Sequence, residues 1–498
     1  MSLPDLNKFK QLAKLGNIIP VYRELLADME TPLGIYARLA NGPHSFLLES
    51  VEGGEKLARY SFIGFDPREV FSSKGDEVTI LSDGKSETFT AEKSPVDELK
   101  HLMKKYQSVN IEGLPRFSGG AVGYFSYDSV RFFEDIPQVN PDDLDVPELN
   151  FMLTKSIVVF DHVRHRLIVI ANAFCDGRPL EQVYNEAEKH IDDIVDKLST
   201  PLPFKPVEPI DSNALAAVDH KTPPSNYSPD EFRDIVERCK EYIRSGDIIQ
   251  VVPSQRFEFP TEVDSFTLYR SLRFINPSPY MFLLNFNDMA LVGSSPEIMV
   301  TLENGKVELR PIAGTRRRGI SEAEDIAFEK ELLADEKEIA EHTMLVDLGR
   351  NDVGRVCEFN SVNMQELMII ERYSHVMHIV SDVQGEILPD KDAFDLLAAT
   401  FPAGTVSGAP KIRAMEIIDE MEKCRRGPYA GTVCYFGYDG NLDSCITIRT
   451  ILLKDKKAYV QAGGGIVADS KPELEYKETV NKARGMIKAI HLAEKLGK

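Results

Sequence analysis

Hydrophobic and polar positions divide the chain into a strand-rich first part and a second part in which helices and strands alternate. Residues 15–175 contain short apolar runs separated by turn residues, which is typical of antiparallel strands. The most apolar run, residues 156–174, is broken by the polar segment 161–166 and predicts a β-hairpin. A helix is expected at about 178–199, because apolar residues recur there at helical spacing. Together these patterns predict an α+β protein.

A proline-rich segment separates the two parts. Residues 201–229 hold seven prolines and few periodic apolar positions, which predicts a linker or a long surface connection. Ser228, Pro229 and Glu231 then form a helix start of the S-x-x-E type, and this helix is expected to run to Gly246. The predicted organisation is therefore an N-terminal α+β domain at 1–200, a linker at 201–227 and a second domain at 228–498.

Two pairs of glutamates stand three residues apart on segments with helical periodicity. They are Glu338 with Glu341, and Glu475 with Glu478. Residues i and i+3 are neighbours on one helix face, so each pair presents two carboxylates side by side. Two such faces brought together would form an all-oxygen site that suits Mg²⁺ and leaves room for an anionic substrate. Taken singly, either pair is more typical of a solvated helix face than of a metal site.

Charge and cysteine content narrow the setting. The 498 residues carry a formal net charge of −21 and a pI of about 5.0, which argues against nucleic acid or an anionic membrane as a main partner. The N-terminus lacks an apolar signal core, and no run approaches the length of a membrane span. The six cysteines are scattered without C-x-x-C spacing, so we expect reduced thiols and a cytoplasmic location.

Three residues of the second half combine polar chemistry with apolar surroundings. Gln250 is expected in the middle of an apolar strand, where it could equally face solvent. Glu297 follows a Ser-Ser-Pro turn and precedes an apolar strand. Arg449 is a lone cation in an apolar strand, and a buried arginine needs a carboxylate partner from the protein or from a substrate.

Glycine-rich segments mark places where the backbone can approach a ligand. Residues 313–315 predict a tight turn before three arginines, and Gly463–Gly465 interrupt a strand pattern. Thr405 lies in a loop rich in hydroxyl and N–H donors. Neither a Walker A motif nor a Rossmann glycine motif is present, so nucleotide-binding interpretations are weak.

Nine segments that include most of these candidate residues occur in an order that is typical of one enzyme family. GDIIQVVPSQ, NPSPYM, GSSPE, PIAGTRRRG, EIAEHTMLVDLGRNDVGRV, AGTVSGAPK, GPYAGTV, CITIRT and QAGGGIVADS resemble the chorismate-utilising enzymes, and among them the large subunits of anthranilate synthases. The resemblance is strong over about 225–490 and thinner over 15–170. It implies two large antiparallel sheets packed as a sandwich, with helices outside, and makes 228–498 the chorismate-binding catalytic domain.

The resemblance also implies roles for individual residues. Glu341 and Glu478 would bind Mg²⁺, with Glu338 and Glu475 on its inner waters. Glu297 would be the general acid that protonates the departing C4 hydroxyl of chorismate. Gln250 and Thr405 complete the predicted catalytic set, and the predicted substrate-binding residues are Gly314, Thr315, Tyr429, Arg449, Gly463 and Gly465.

Two positions indicate which reaction is expected. Family members that add water at C2 carry lysine where Gln250 stands, and aminodeoxychorismate synthases typically carry lysine where Ala313 stands. The combination of Gln250 and Ala313 therefore indicates an anthranilate-type lyase, acting at the first step of tryptophan biosynthesis. The alternatives are an aminodeoxychorismate or aminodeoxyisochorismate synthase and, in another class, a non-catalytic tryptophan-binding subunit.

Ammonia and a regulator complete the expected partners. No cysteine lies in a G-x-C-x-G elbow, so the glutaminase that supplies ammonia is expected to be a separate chain. The segments FLLES and NPSPYM match the tryptophan feedback site of the family, although NPSPYM could simply be a rigid turn. The predicted effector residues, to which the N-terminal domain contributes, are Glu49, Ser50, Asn276, Pro279, Tyr280 and Met281.

Overall fold

A computed structural model describes residues 2–40, 42–51, 59–204, 224–373 and 376–496. Within these ranges the helices are α1 (Leu6–Leu12), α2 (Pro32–Leu39), α3 (Pro95–Lys104), α4 (Leu180–Leu198), α5 (Pro229–Ser245), α6 (Ser265–Ile275), α7 (Glu322–Ala334), α8 (Glu336–Gly354), α9 (Ala393–Thr400), α10 (Lys411–Met421) and α11 (Pro472–Leu496).

The strands of the first half are β1 (Ile18–Leu26), β2 (Ser45–Glu49), β3 (Tyr60–Gly64), β4 (Glu69–Lys74), β5 (Glu77–Ser82), β6 (Lys85–Thr90), β7 (Gly120–Phe125), β8 (Leu149–Leu153), β9 (Ser156–Asp161) and β10 (Arg166–Phe174). Those of the second half are β11 (Gln250–Val251), β12 (Ser254–Pro260), β13 (Tyr280–Asn285), β14 (Met289–Ser295), β15 (Ile298–Glu303), β16 (Lys306–Leu309), β17 (Ile312–Arg317), β18 (Asn363–Arg372), β19 (Val376–Glu386), β20 (Gly408–Ala409), β21 (Thr432–Gly437), β22 (Leu442–Ile446), β23 (Thr450–Lys454) and β24 (Lys457–Gly463).

Two large antiparallel sheets contain nearly all of these strands. The first has the order β1-β10-β9-β3-β2-β13-β14-β23-β24-β12. The second has the order β17-β19-β16-β15-β22-β21-β7-β8-β4-β5-β6, with β18 also paired to β19. The short strands β11 and β20 pair with each other, and Val251 of β11 also forms an antiparallel bridge with Ile466.

The sheets pack face to face, with helices on the outside. On β13, Phe282 and Leu284 belong to a cluster shared with Val433 and Tyr435 of the second sheet. Leu283, between them, points the other way and joins the larger cluster that includes residues of α6 and α11. This alternation follows from the two-residue period of a strand. The predicted α+β sandwich is confirmed.

The clearest helix and hairpin predictions are also confirmed. Helix α4 falls within the expected 178–199, and β9 with β10 forms the expected hairpin. Helix α5 begins with a capping box, in which the Ser228 hydroxyl accepts from the Glu231 amide and the Glu231 carboxylate accepts from the Ser228 amide. It ends at Gly246, whose φ of 86° is readily adopted by glycine.

Three local predictions were wrong. Gln250 lies in a two-residue strand, not in the middle of a long one, because Pro253 has no N–H to continue the ladder. Arg449 lies between β22 and β23 rather than within a strand, and has a positive φ of 51°. Residues 313–315 form an irregularity within β17 instead of a turn, with Gly314 at a φ of 65°.

Strands from both parts of the chain share the two sheets. β2 pairs with β13, and β7 pairs with β21. The predicted boundary at 201–227 thus divides the sequence without dividing the sheets, and its residues 205–223 lie outside the described residues. No helix in the described ranges is long and apolar enough to cross a membrane.

Candidate active site

The two glutamate pairs lie on helices that face one cleft. Glu338 and Glu341 occupy the first turns of α8, whose N-terminal amides are capped by the Asp335 carboxylate. Glu475 and Glu478 occupy the first turns of α11. Burial and repulsion by Glu338 raise the pKa of Glu341, and Glu478 adds to the repulsion. The two helices therefore bring acids 137 residues apart in sequence within electrostatic range, as predicted.

Three of the four acids also have a neighbour that orients them. Arg316 Nη1 lies 3.1 Å from Glu338 Oε1, and Lys482 Nζ lies 2.7 Å from Glu478 Oε1. Gln250 Nε2 lies 3.5 Å from Glu341 Oε1, at the long limit of a hydrogen bond. These contacts orient the carboxylates.

The carboxylate oxygens of the two glutamate pairs are the type of ligand that a hard cation prefers. Oxygen ligands from carboxylates are those that Mg²⁺ prefers, and the repulsion that raises the pKa of Glu341 is what a nearby cation relieves. In the described ranges, however, no three His, Cys, Asp or Glu side chains are close enough to enclose a metal. Glu341 and Glu478 could hold an ion only with further ligands, which water or a substrate carboxylate would have to supply.

Glu297 is positioned as a buried acid. It stands between β14 and β15, is 9% exposed, and lines a small cavity with Thr405. Burial raises the pKa of Glu297 to about 7, although the Thr405 hydroxyl and the charge of Lys482 both oppose the rise. The buried Thr405 hydroxyl falls short of a regular hydrogen bond to any described residue. A carboxyl with this pKa can carry and release a proton near neutral pH.

The three predicted glycines are each pressed against a side chain of the site. A Cβ on Gly465 would lie 2.4 Å from Gln250 Nε2, and one on Gly463 would lie 2.8 Å from Tyr429 Oη. A Cβ on Gly314 would lie 3.2 Å from Glu338 Oε2. Glycine at these positions therefore lets the backbone and its amides reach the site.

Gln250 has a side-chain oxygen without a hydrogen-bond partner among the described residues, and Arg449 has a guanidinium without an ion-pair partner among them. Gln250 is 3% exposed, and its Oε1 makes no hydrogen bond to a described residue. Arg449 forms no ion pair with any described carboxylate, and burial lowers the pKa of its guanidinium. Arg449 lines an open cleft with Glu478 and Lys482. The predicted protein carboxylate is thus absent from the described residues, and an anionic ligand is the partner left for Arg449.

The remaining predicted substrate residues surround these groups. Burial raises the pKa of Tyr429 to about 12, so its hydroxyl stays protonated and can donate. Thr315 is exposed, and its Oγ1 lies 3.0 Å from His378 Nδ1.

Two residues of the site were missed at the sequence level. Lys482 donates to the Gly463 carbonyl at 3.1 Å, contacts Glu478 and acts on Glu297. Its position four residues after Glu478 on a helix could have revealed it. His378 lies 3.1 Å from the Gly314 carbonyl, and burial lowers its pKa, which favours the neutral ring. Nothing in the local sequence of His378 reveals the pairing of β19 with β17.

A second pocket lies between the sheets. It is lined by Glu49, Ser50, Pro279, Tyr280 and Met281, which come together because β2 and β13 pair with Met281 opposite Glu49. Asn276 is absent from the lining of the pocket. It follows the end of α6, and its side-chain Nδ2 donates to Ser294 Oγ at 2.8 Å.

The pocket also contains residues that were not predicted. Arg116 and Asp443 form an ion pair of 2.6 Å there, and Tyr435 contributes an aromatic wall. Five of the six predicted effector residues thus share one pocket.

Comparisons with known proteins identify the family of the chain. The chorismate binding enzyme family matches residues 43–488. The chain is 51% identical to anthranilate synthase component 1 of Acetivibrio thermocellus, over 99% of each chain. Anthranilate synthase component I from Streptococcus pneumoniae TIGR4 superposes with a TM-score of 0.75 and 38% identity, covering 86% of this chain and 92% of that one.

A more distant structure shares only the fold. The menaquinone-specific isochorismate synthase from Escherichia coli has a TM-score of 0.68 at 17% identity, covering 97% of this chain and 98% of that one. The family matches most of the chain, and the component 1 relative matches 99% of it. These two matches determine the family of the chain. The chain belongs to the chorismate-binding enzyme family, in the group of its anthranilate synthase component 1 relatives.

Proposed function

We propose that the chain converts chorismate and ammonia into anthranilate, pyruvate and water in the presence of Mg²⁺. The observation that carries this proposal is that a buried acid and a buried cation both lie near Lys482, which acts on the acid and lines the cleft of the cation. Glu297 has a pKa near 7, and Arg449 has no protein carboxylate among the described residues. An anionic substrate that must lose a hydroxyl group needs both.

Binding uses the cations of the cleft. Chorismate carries two carboxylates, one on the ring and one on the enolpyruvyl ether. The planar guanidinium of Arg449 suits a carboxylate, and the Tyr429 hydroxyl can donate beside it. The backbone amides of Gly314, Gly463 and Gly465 can complete the cradle. Lys482 adds positive charge at the same mouth.

Glu341 and Glu478 would hold the Mg²⁺, and Glu338 and Glu475 could bind its waters. When bound, the ion would supply positive charge against the ring carboxylate of chorismate. This charge would also relieve the repulsion among the four glutamates, which is the support for the assignment in this structure.

Bond changes follow from the proton on Glu297. Glu297 donates it to the C4 hydroxyl, which leaves as water because hydroxide itself is a poor leaving group. Ammonia adds at C2 and loses one proton to solvent. Departure of pyruvate and of the C2 proton then restores the aromatic ring, so that chorismate and ammonia balance anthranilate, pyruvate and water.

Gln250 supports ammonia rather than water as the nucleophile. Its neutral amide cannot remove a proton from water, whereas ammonia already carries a free electron pair. Ala313, near the same site on β17, has no amine for covalent catalysis of the aminodeoxychorismate type. The two residues thus favour anthranilate over the products of the alternative enzymes.

The ammonia comes, in this proposal, from a separate glutaminase chain. A glutaminase thiol must be exposed and readily ionised. Burial raises the pKa of all six cysteines, Cys175, Cys239, Cys357, Cys424, Cys434 and Cys445. None of them fits the role.

Tryptophan is proposed as an inhibitor that binds the pocket between the sheets. The pocket combines apolar and aromatic walls with Glu49 in its lining, which suits an aromatic amino acid. Strand β22 supplies a physical link to the cleft. Asp443 lines the pocket, the Ile446 amide donates to the Glu297 carbonyl at 3.1 Å, and Arg449 follows three residues later. A ligand that shifts β22 therefore shifts both groups.

The direct test is to incubate the purified chain with chorismate, Mg²⁺ and either ammonium or glutamine, and to follow anthranilate fluorescence. Anthranilate should form with ammonium and not with glutamine. An amino-deoxychorismate product would favour the alternative enzymes. Tryptophan binding without any conversion of chorismate would favour a non-catalytic subunit.

A further inference from the structure

A buried ion pair contacts the two segments of the chain that carry Gln250 and Thr405. Arg426 Nη2 contacts Glu422 Oε1 at 2.6 Å, and Nε contacts Oε2 at 3.0 Å. The side chains are 1% and 4% exposed. Both residues follow helix α10, and none of the sequence patterns above assigned them a role.

The remaining donors of Arg426 hold two other segments of the chain. Nη2 donates to the Val252 carbonyl at 2.7 Å, and Nη1 donates to the Val406 carbonyl at 2.8 Å. Glu422 Oε1 accepts from both the amide and the hydroxyl of Ser254, at 2.9 and 2.7 Å. One ion pair thus joins the segment after β11, the segment before β20 and the start of β12.

Two of the joined segments carry a residue of the proposed reaction, and a third such residue follows Arg426 in the chain. Val252 lies two residues after Gln250, and Val406 directly follows Thr405. The two segments also contact each other, because the Val252 amide donates to the Ser407 carbonyl at 3.0 Å. Tyr429 lies three residues after Arg426, and its ring centre is 5.5 Å from the guanidinium carbon.

Stability alone does not account for this pair. Replacing a buried ion pair by apolar residues of similar size is often neutral or stabilising. A planar guanidinium, in contrast, fixes several acceptors at set distances and angles, which a lysine ammonium cannot reproduce. The value of Arg426 therefore lies in the geometry that it imposes on its neighbours.

We propose that Arg426, held by Glu422, is a positioning residue that sets the relative placement of Gln250, Thr405 and Tyr429. The inference rests on the proposed function for the roles of those three residues. Arg426 itself touches none of the reacting atoms. It acts through Val252, Val406 and the loop that carries Tyr429.

The test compares three variants in the ammonium-dependent assay. Arg426→Lys keeps the charge and loses the fork. The double variant Arg426→Met/Glu422→Leu removes both charges, so that neither charge is left buried without its partner. Arg166→Lys is the matched control, because Arg166 also pairs with a buried carboxylate, Asp161, in the hairpin of β9 and β10.

A misplacement of about 1 Å in a catalytic group can lower the rate by about 10²-fold, and we expect a loss of that order in kcat for both Arg426 variants. The KM for chorismate should change much less, because Arg449 and Lys482 remain. Arg166→Lys should leave kcat unchanged at a similar melting temperature. Wild-type kcat in either folded Arg426 variant would overturn the proposal, as would a kcat loss in the control that matches its loss of stability.

A crystal structure of Arg426→Lys separates this proposal from the proposed function. Displacement of Gln250, Thr405 and Tyr429 relative to the wild type is expected whether or not the wild type makes anthranilate. Unmoved side chains would refute the positioning role. Absence of anthranilate with the wild-type enzyme would instead refute the proposed function.

Discussion

The cleft and the pocket between the sheets both contain charged side chains, but those of the pocket are paired within the protein and Arg449 of the cleft is not paired with a described residue. In the pocket, Glu49 accepts from Tyr269 at 2.6 Å and from Arg273 at 3.1 Å. Asp443 pairs with Arg116 and also accepts from Tyr280 at 2.9 Å. In the cleft, Arg449 has no ion-pair partner among the described residues.

This difference indicates what each region can bind. A pocket whose charges are already satisfied selects a ligand chiefly by shape and apolar contact. A cleft that leaves a guanidinium and an amide oxygen without partners among the described residues, near a carboxyl whose pKa is raised by burial, is preorganised for a charged ligand that changes during a reaction. The two regions are nevertheless joined through β22, so a ligand in one can influence the other.

The largest expected effect concerns the acid of the cleft. Glu297→Gln keeps the shape of the side chain and removes its exchangeable proton. General acid catalysis contributes about 10²–10⁴-fold, so kcat should fall by that order. In the wild type, kcat/KM should decrease as the pH rises through about 7, because Glu297 then loses its proton. Retention of most of the activity in Glu297→Gln would assign the acid elsewhere.

The same variant should be more stable than the wild type at high pH. The pKa of Glu297 lies at about 7 when folded, against 4.5 for an ordinary glutamate, so stability is lost as pH rises from about 4.5 through 7. The full difference is roughly 3 kcal/mol. Urea unfolding should show Glu297→Gln to be the more stable protein at pH 8 and to differ little from the wild type at pH 4.5. Equal stability at both pH values would mean that the carboxyl is not desolvated.

Two arginines sharpen the comparison. Arg449→Gln should raise the KM for chorismate roughly 10–100-fold, the equivalent of one charged hydrogen bond, without lowering stability. Arg116→Gln should instead destabilise the fold by about 1–3 kcal/mol, because the buried Asp443 loses its ion pair. Kinetics and thermal unfolding of both variants provide the check. A large loss of stability in Arg449→Gln would show that its partner is a protein group after all.

Changes in the pocket should affect only the regulator. Ser50→Phe fills the pocket, and Met281→Thr shortens a side chain that is 1% exposed. Either should weaken tryptophan binding by about tenfold or more, equivalent to at least about 1.4 kcal/mol, with little change in uninhibited turnover. Met281→Thr should also be less stable, because it leaves a cavity. Calorimetry with tryptophan, with and without a chorismate analogue, tests both variants. An unchanged affinity for tryptophan in both variants would show that the effector site lies elsewhere.

The smallest effect is expected at Gln250. Gln250→Lys would place an ammonium group beside Glu341, where the ion pair keeps it protonated and a weak base. Amination should fall, and only a minor product of water addition should form. Chromatographic product analysis makes the distinction, and anthranilate alone at the wild-type rate would show that Gln250 does not face C2.

Local sequence patterns were sufficient where neighbours in the chain decide the structure. The capping box of Ser228 and Glu231 and the helical spacing of Glu338 and Glu341 depend on residues within one or two turns. Arg449 could not be placed in the same way, because its positive φ arises where two strands of different sheets are joined. The strand of Gln250 could not be predicted from local sequence either, because its partners, β20 and Ile466, are distant in the chain.

The most direct test of the contrast between the two regions is a crystal structure of the chain soaked with Mn²⁺, as an anomalous substitute for Mg²⁺, and with tryptophan. The account predicts manganese between Glu341 and Glu478 in the cleft, and the indole ring in the pocket against Tyr435 and Met281. Manganese bound elsewhere, or tryptophan in the cleft beside Arg449, would contradict it.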